Sequence, residues 1–372
     1  MKVTVEQSAL LKSLSRTTRV VERRNTIPIL SNVLLRAEDG KLMLKATDLD
    51  IEVTESLVAD IATSGSITVP AHVFHDIVRK LPDGAQVLVE TSGDSSQLVL
   101  RSGRSRFTLQ ALPETDFPDL ATGEFSNTFK MPSSHLRTLI EKTQFAISTE
   151  ETRYYLNGIY FHALEVNGAN VLRAVATDGH RLARSEVSCP NGASGMPGII
   201  IPRKTVSEIF KLVADGDQEI SIELSASKIR FHIGAVILTS KLIDGTFPDY
   251  NRVIPTGNDK RMMIECAGFS RSVDRVATIS SERGRAVKLS LSDGKLTLAV
   301  NNPDAGNATE ELEVDYDSTP LEIGFNAKYL LDIASQFEGD TAVFKFADSG
   351  APTLIQDKEG ASTLYVLMPM RV

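Results

Sequence analysis

The stretch Met1-Lys2-Val3-Thr4-Val5 decides the fold, because the pattern that it opens occurs three times in the chain. Apolar residues alternate along it as in a half-buried strand, and an amphipathic helix pattern follows at once. The same strand-then-helix pattern returns over residues 129–147 and over residues 262–279. The copies stand about 120–130 residues apart, which is the length of a domain and far longer than a solenoid repeat. We therefore expect three copies of one domain.

A second recurring pattern is Thr68-Val69-Pro70-Ala71-His72-Val73-Phe74, in which a strand turns into a helix at a proline. Proline fits the start of a helix, where its missing N–H leaves no hydrogen bond unmade. The counterparts of this pattern lie at residues 200–206 and 324–330. A third shared pattern is Thr47-Asp48-Leu49-Asp50, which is answered by Thr177-Asp178-Gly179-His180. Each copy is thus expected to carry two helices.

Short alternating runs separated by turn residues fill the rest of each copy. In the first copy they predict helices over 7–21 and 71–81, strands over 33–36, 42–47 and 51–58, and a hairpin turn at Asp39-Gly40. The predicted fold class is α+β, with three repeated domains that each pack two helices on antiparallel sheets. The predicted domains are residues 1–121, 127–250 and 260–372. Since each copy relates to the next by a similar rotation, a curved or ring-like body is expected.

The composition is that of an ordinary soluble globular protein, with 42% hydrophobic and 24% charged residues. The sequence has no apolar run of about 18 residues and no apolar signal core at its start, so a cytoplasmic protein is expected. Cys189 and Cys266 are the only cysteines. Their wide separation predicts two free thiols in a reducing compartment.

The charge is unevenly distributed, although the net charge of −8 argues against a protein that coats nucleic acid non-specifically. In the first helix, the apolar stripe of Leu10, Leu14, Thr17 and Val21 is offset by two residues from a row of cations. Two residues correspond to about 200° on a helix, so the cations lie opposite the core. The row consists of Lys12, Arg16, Arg19 and Arg23.

Weaker versions of this cationic face recur in the later copies, at Arg271 and Arg275, at Lys204 and Lys211, and at His135 and Lys142. Such a face attracts a phosphate backbone without reading bases. The alternative is that these are the solvated outer faces of ordinary helices.

The strongest catalytic candidate is Asp178-Gly179-His180-Arg181, in which an Asp and a His could act as orienter and base of a hydrolase. No Ser or Cys stands in a recognisable nucleophile elbow, and the matching place in the first copy has no His, so an exposed turn is the alternative. His72 and His75 stand three residues apart, but no third ligand with zinc spacing follows. We expect no catalytic residue, no metal and no cofactor.

Two similar linkers follow the first two copies, and each contains Phe-Pro-Asp before an apolar residue. They are Phe117-Pro118-Asp119-Leu120 and Phe247-Pro248-Asp249-Tyr250. Proline restricts its own backbone and that of the preceding residue, so both linkers are expected to be stiff. The chain ends in an apolar stretch over residues 364–372, with Met368 and Met370 on either side of Pro369. Termini are usually polar, and methionine adapts to varied partners.

Together these features closely resemble the bacterial sliding clamps, the beta subunits of replicative DNA polymerase III. The resemblance spans the full length. Its most specific parts are Thr47-Asp48-Leu49, Ser102-Gly103-Arg104-Ser105-Arg106-Phe107, Arg153-Tyr154-Tyr155-Leu156-Asn157-Gly158, residues 176–183, Phe247-Pro248-Asp249-Tyr250 and Met368-Pro369-Met370-Arg371.

The resemblance implies a ring-shaped, head-to-tail homodimer of six domains that encircles duplex DNA, independently of its sequence, and tethers the polymerase without catalysis. Implied partners are the polymerase alpha subunit, the clamp loader and other proteins with clamp-binding motifs, in which a glutamine accompanies apolar anchors. Arg24, Tyr155 and Lys204 match DNA-contacting positions, and the helix cations Lys12, Arg16 and Arg19 are expected to join them. Glu150 replaces an uncharged polar residue near DNA, where phosphate would repel it.

The resemblance also implies a partner-peptide pocket and a subunit interface. The implied interface residues are Phe107, Leu109, Thr278 and Ile279. The implied pocket residues are Leu156, Thr177, Gly179, His180, Arg181, Leu182, Pro248, Arg252, Val253, Tyr329, Val366, Met368, Pro369, Met370 and Arg371. The apolar terminus would then form one wall of a peptide groove. A hydrolase using Asp178 and His180, and an acidic scaffold that binds no nucleic acid, are the alternatives.

Overall fold

The computed structural model describes residues 1–93, 95–120, 123–214, 216–280 and 286–372. The predicted end of the first domain, residue 121, lies outside the described residues. The chain forms two compact units. The first comprises Met1–Ser134 and Ser207–Leu242, and the second comprises His135–Val206 and Ile243–Val372.

The first unit is built on two antiparallel sheets, with strand orders β5-β1-β7-β8-β9 and β10-β15-β16-β17-β4-β3-β2-β6. Its helices are α1 (Gln7–Thr17) and α2 (Ala71–Arg79). Its strands are β1 (Lys2–Glu6), β2 (Asn32–Glu38), β3 (Lys41–Thr47), β4 (Ile51–Val58), β5 (Asp60–Thr63), β6 (Gly65–Pro70), β7 (Gln86–Thr91), β8 (Gln97–Ser102), β9 (Ser105–Gln110), β10 (Asn127–Pro132), β15 (Glu219–Leu224), β16 (Lys228–Ile233) and β17 (Val236–Lys241).

The second unit also has two antiparallel sheets, with orders β14-β11-β12-β13-β25-β24-β23-β18 and β21-β20-β19-β22. Its helices are α5 (Cys266–Ala277) and α6 (Ala327–Ala334), while α3 (Ser133–Glu141) and α4 (Arg203–Leu212) each begin in one unit and end in the other. Its strands are β11 (Gly158–Val166), β12 (Ala169–Thr177), β13 (Arg181–Ser188), β14 (Ile199–Pro202), β18 (Lys260–Glu265), β19 (Ala286–Ser292), β20 (Lys295–Asn302), β21 (Gly306–Glu313), β22 (Leu321–Asn326), β23 (Thr341–Phe346), β24 (Thr353–Gln356) and β25 (Leu364–Leu367).

The strand-then-helix pattern is confirmed at all three places, as β1–α1, β10–α3 and β18–α5. The second pattern is confirmed as β6–α2, β14–α4 and β22–α6. The first and third copies even share a cap. The Glu6 carboxylate accepts hydrogen bonds from the first N–H groups of α1, and Glu265 does the same for α5. An acid at this position satisfies N–H groups that have no partner within the helix.

Helix α1 ends earlier than the predicted residue 21, at Thr17, and a 3₁₀ turn over Thr18–Val20 follows. The hydroxyls of Thr17 and Thr18 bond back to the carbonyls of Ser13 and Leu14. Such side-chain bonds compete with the regular helix, and β-branched residues weaken it further. The predicted apolar stripe of Leu10, Leu14, Thr17 and Val21 is nevertheless buried.

The prediction that Lys142 lies on the outer face of its helix is wrong. Lys142 follows the last residue of α3 and is buried, with its ammonium donating to the Gln336 carbonyl at 2.5 Å and pairing with Glu338 at 2.7 Å. A buried ammonium needs such partners.

Two further expectations concern single residue types. Cys189 and Cys266 are both free, as predicted, and burial raises the pKa of the Cys266 thiol to about 11. Asp39 and Gly40 form a hairpin turn with φ values of 50° and 71°. Among the described residues, no helix combines the length and apolar character needed to span a bilayer, and no cluster of three metal-ligating side chains occurs.

Candidate functional site

A polar turn connects β12 to β13 in the second unit, and its own side chains hold its shape. The Thr177 hydroxyl donates to the Arg181 carbonyl at 2.7 Å and accepts the N–H of Gly179 at 3.1 Å. One carboxylate oxygen of Asp178 accepts the N–H groups of His180 and Arg181, at 2.9 and 3.0 Å. The turn is therefore fixed by a Thr and an Asp, two residues that commonly make such local bonds.

The first unit repeats this turn bond for bond. The Thr47 hydroxyl bonds the Ile51 carbonyl and the Leu49 N–H, and Asp48 accepts the N–H groups of Asp50 and Ile51. This copy has no His, yet its Asp serves in the same way. The shared Thr-Asp pattern in the sequence is thus explained by turn geometry, and it gives no support to a catalytic Asp–His pair.

Glycine occupies the third position of the second turn, where the backbone has a positive φ that glycine adopts without strain. Gly179 has a φ of 88°, and a Cβ there would lie 2.6 Å from Nη1 of Arg153. The first copy instead holds Leu49 at a φ of 78°, a conformation that is unfavourable for a branched side chain. Gly179 thereby lets the Arg153 guanidinium approach the turn, where it also pairs with Glu150 at 2.7 Å.

The Arg181 side chain is fixed from several directions and is only 7% exposed. Its guanidinium donates to the carboxylates of Asp178 at 3.1 Å and Asp332 at 2.6 Å, and to the Phe145 carbonyl at 2.7 Å. It also lies over the rings of Tyr329 and Phe145, at 4.2 and 5.1 Å. A planar guanidinium suits this combination of forked hydrogen bonding and stacking.

A cleft of 480 Å³ opens beside this guanidinium. Three of the predicted pocket residues, His180, Arg181 and Tyr329, line it together, and the rings of His180 and Tyr329 stack at 6.3 Å. The residues of its other walls were not predicted as pocket residues, although Asp178 and Glu150 were singled out for other roles. They are Phe145, Ile147, Ser148, Thr149, Glu150, Asp178, Lys328 and Asp332.

An apolar cluster in the same unit brings together three more predicted pocket residues, Leu156, Leu182 and Val366. Tyr155, a predicted DNA-contacting residue, packs against it. Phe247 and Tyr250 belong to the cluster but were not predicted as site residues, although their Phe-Pro-Asp-Tyr motif was a signal that could have identified them. The other members are Val175, Ile200 and Leu364.

The C-terminal tail is joined to the site at two places. Strand β25 pairs with β13, which sets Val366 opposite Leu182, and the Met368 N–H then donates to the His180 carbonyl at 2.9 Å. Further on, the Met370 N–H donates to the Gly324 carbonyl at 2.8 Å. Met368 itself is 39% exposed. The tail is thus fixed in place and displays an apolar side chain.

Gly324 allows the tail to approach closely, because a Cβ there would clash with the Val372 side chain. Beside this contact lies a second cleft of 660 Å³, which includes the predicted pocket residues Pro369, Met370 and Arg371. The remaining predicted residues Pro248, Arg252 and Val253 lie at the surface, and Arg252 pairs with Asp249 at 3.0 Å.

The predicted DNA-contacting residues differ in their exposure to solvent. Lys12, Arg19 and Arg24 are exposed in the first unit. Arg16 is partly buried and pairs at 2.8 Å with Glu55, whose side chain is only 6% exposed. In the second unit, Lys204 of α4 is partly buried.

The predicted interface residues lie near sheet edges. Phe107 is 37% exposed on β9, the edge strand of its sheet, whereas the neighbouring Leu109 is buried. Thr278 and Ile279 follow α5, which packs against the strands β19, β20 and β21. Strand β21 is also an edge strand, but its charge is opposite to that of β9. It carries Glu310, Glu311 and Glu313, whereas Arg104 and Arg106 lie at the start of β9.

Comparisons with known proteins agree along the whole chain. Residues 1–121, 130–249 and 251–371 match the N-terminal, central and C-terminal domain families of the DNA polymerase III beta subunit. A beta sliding clamp from Caulobacter vibrioides (strain NA1000 / CB15N) is 53% identical over 372 residues, and one from Escherichia coli (strain K12) is 41% identical over 379 residues, with 100% of both chains covered in each case.

Solved structures give the same answer. A DnaN sliding clamp (DNA polymerase III subunit beta) from Bartonella birtlesii bound to griselimycin matches with a TM-score of 0.97 at 56% identity, and 100% of both chains is covered. A DNA polymerase sliding clamp from Pseudomonas aeruginosa matches with a TM-score of 0.94 at 39% identity, again over 100% of both chains.

Proposed function

This chain belongs to the DNA polymerase III beta subunit family, the beta sliding clamps of DNA replication, and we propose that two copies of it close head to tail into a ring around duplex DNA. The ring would hold the polymerase alpha subunit on its template, and so confer processivity, and would receive the clamp loader and other partners in turn. The observation that carries the proposal is the succession of three clamp-domain matches along the chain. We propose that its three domains comprise residues 1–121, 127–250 and 260–372.

Sheet edges of opposite charge support the closure of two copies. Strand β9 ends its sheet, and the exposed cations Arg101, Arg104 and Arg106 lie on and beside it. Strand β21 ends another sheet and carries the exposed acids Glu311 and Glu313. An unpaired edge strand is a template for another strand, and complementary charge selects the partner. We therefore assign β9 of one copy to β21 of the other.

The exposed cations on and after α1 support contact with DNA through phosphates alone. Lys12 projects from α1, which packs on the strands β1, β3 and β4, and Arg19 and Arg24 lie in the segment that follows this helix. None of the three belongs to a base-reading motif. Contacts of this kind are independent of sequence and weaken steeply with salt. They would guide a duplex that slides, which is what a clamp needs.

The second unit supplies a partner site of suitable chemistry. The apolar cluster, the exposed Met368 and the cleft beside Arg181 and His180 offer apolar and polar contacts within one unit. A peptide with a glutamine and apolar anchors would place its anchors on the cluster and its amide near the polar turn. Several modest subsites favour exchange among partners over one permanent partner.

We further propose that the protein catalyses no reaction and works in the cytoplasm. The Asp178 carboxylate is engaged by backbone N–H groups and by Arg181, and the His180 ring stacks on Tyr329. This arrangement does not favour the hydrolase alternative, in which Asp178 would orient the imidazole.

Topological linkage can be tested on circular DNA. The protein is loaded onto a nicked plasmid with a clamp loader and ATP, isolated with the DNA by gel filtration, and followed after the plasmid is cut once. A ring that encircles DNA stays on the circle and slides off the cut ends. Retention on the linear product equal to that on the circle would refute the proposal.

A plasmid with biotin near both sides of the cutting site provides the control. Streptavidin then blocks the ends after cutting, and a true ring remains bound to this linear DNA. A protein that merely adheres to phosphates is indifferent to the block.

A further inference from the structure

A buried polar network lies behind residues 247–253, which we call the rim of the proposed partner pocket. Its centre is the Tyr250 hydroxyl, which accepts a hydrogen bond from Arg173 Nη1 at 2.8 Å and lies 3.0 Å from His162 Nε2. Arg173 is only 4% exposed and also pairs with Glu186 at 2.7 Å. Burial of such groups is costly unless they are bonded to one another, so the network has one favoured arrangement.

The protonation state of His162 follows from its burial. Burial, aided by the charge of Arg173, lowers the pKa of His162 to about 4, so its ring is neutral at physiological pH. A neutral imidazole carries its proton on one of its two nitrogens, so Nε2 either donates to the Tyr250 oxygen or accepts the Tyr250 proton, and the two groups share one hydrogen bond in both tautomers. A chain of hydrogen bonds thus runs from Glu186 through Arg173 and Tyr250 to His162.

A stack of aromatic rings fixes Phe247, which lies at the other end of the Phe247-Pro248-Asp249-Tyr250 motif. Phe247 stacks on Tyr160 with centroids 4.9 Å apart and an interplanar angle of 5°, and Tyr160 stacks in turn on His162 at 4.7 Å. Both aromatic residues of Phe247-Pro248-Asp249-Tyr250 are therefore fastened to the same strand, β11. Gly198 leaves room for the Tyr160 ring, because a Cβ there would clash with it.

The backbone of the rim has little support of its own. The rim contains a 3₁₀ turn over Tyr250–Val253. Its hydrogen bonds are long, 3.4 Å from the Arg252 N–H to the Asp249 carbonyl and 3.3 Å from the Ile254 N–H to the Asn251 carbonyl. Bonds of this length are weak. The Arg252 side chain is 84% exposed, and Val253 is exposed as well. The position of the rim therefore depends on the anchored rings.

We propose that Arg173 and His162 are positioning residues, which fix the rim at residues 247–253 through the Tyr250 hydroxyl and thereby set the affinity of the pocket for partner peptides. The part concerning affinity rests on the proposed function, whereas the part concerning the rim does not. No peptide group contacts Arg173 or His162 in this scheme, since both act through Tyr250.

The test replaces Tyr250 with Phe, which keeps the packed ring and removes only the hydroxyl. The matched control is Tyr365→Phe in the same unit, because the buried Tyr365 hydroxyl has no hydrogen-bond partner among the described residues. Both changes are made in the full chain with C189S and C266S. A nitroxide on Val253→Cys then reports rim motion by electron paramagnetic resonance, and a nitroxide on the exposed Glu165→Cys of β11 reports unrelated change.

We expect Tyr250→Phe to increase the mobility of the label at position 253, with no change at 165, while Tyr365→Phe changes neither. In chains without the label, a fluorescein-tagged peptide with a glutamine and two leucine-like anchors is titrated by anisotropy. We expect about fivefold weaker binding for Tyr250→Phe, the size of one lost hydrogen bond, and less than twofold change for the control.

Equal label mobility at 253 in the parent and Tyr250→Phe chains would overturn the positioning role. Greater mobility with unchanged peptide affinity would overturn the link from the rim to binding. If the parent chain binds no such peptide, the proposed pocket is wrong, and the mobility at 253 still decides whether the network fixes the rim.

Discussion

At the scale of single residues, Arg181 is the side chain on which the proposed pocket depends most. Its replacement by Met would leave the Asp178 and Asp332 carboxylates without their shared cation and remove the stacking on Tyr329. Breaking a largely buried ion pair costs about 3–5 kcal/mol, and the partial exposure of Asp332 lowers our expectation to about 2 kcal/mol. Calorimetry should show a lower unfolding temperature, together with loss of peptide binding.

Arg252 provides the control for this change. It also pairs with an aspartate three residues earlier, but its side chain is 84% exposed, so Arg252→Met should cost no more than about 1 kcal/mol. Equal destabilisation by the two changes would mean that the buried position of Arg181 contributes nothing special.

The residues that the sequence could not place are those whose partners are far away in the chain. The local pattern around Lys142 predicts an outer face, yet its partners Gln336 and Glu338 stand almost 200 residues later. The role of Tyr250 likewise depends on His162 and Arg173. By contrast, the turn at residues 177–181 is bonded within itself, and its recurrence at residues 47–51 was visible as sequence.

At the scale of elements, the order of strands and helices follows from the local sequence pattern. Whether a cation on a helix is exposed or paired depends on the sheet beside that helix. Alternation and 3.6-residue periodicity correctly predicted β1, α1, β4 and α2 within a few residues. The pattern of cations on and after α1 predicts one uniform face. The structure divides it, because Glu55 of β4 engages Arg16 while Arg19 remains exposed.

This division predicts opposite outcomes for two neighbouring arginines. Arg16→Ala leaves Glu55 buried without its cation, so it should lower stability by about 1–3 kcal/mol. Arg19→Ala should leave stability unchanged and reduce the salt dependence of DNA binding by about one phosphate contact.

Urea unfolding and fluorescence anisotropy with duplex DNA at several salt concentrations measure the two effects. A loss of stability in Arg19→Ala, or an unchanged salt slope, would contradict this assignment. The Glu55→Gln change serves as a further check, since it should remove most of the cost of Arg16→Ala.

At the scale of the whole molecule, three copies of one domain were recognisable from the sequence because each copy retains its strand-then-helix junctions. The closure of two chains into a ring is a different matter, since it depends on surfaces that only a second copy would cover. The charge of the two edge strands makes this closure testable. Arg106 lies on β9 and Arg104 directly precedes it, while Glu311 and Glu313 lie on β21.

We expect R104E together with R106E to convert the dimer to a monomer at micromolar concentration, because like charges would then face each other across the strand pair. E311K together with E313K should do the same. A chain that carries all four changes restores opposite charge at both interfaces of a head-to-tail dimer and should regain the dimer.

Light scattering coupled to gel filtration gives the mass of each species. If the four-change chain stays monomeric while its unfolding temperature matches the parent, β9 does not pair with β21. Dimers that persist in both two-change chains would lead to the same conclusion.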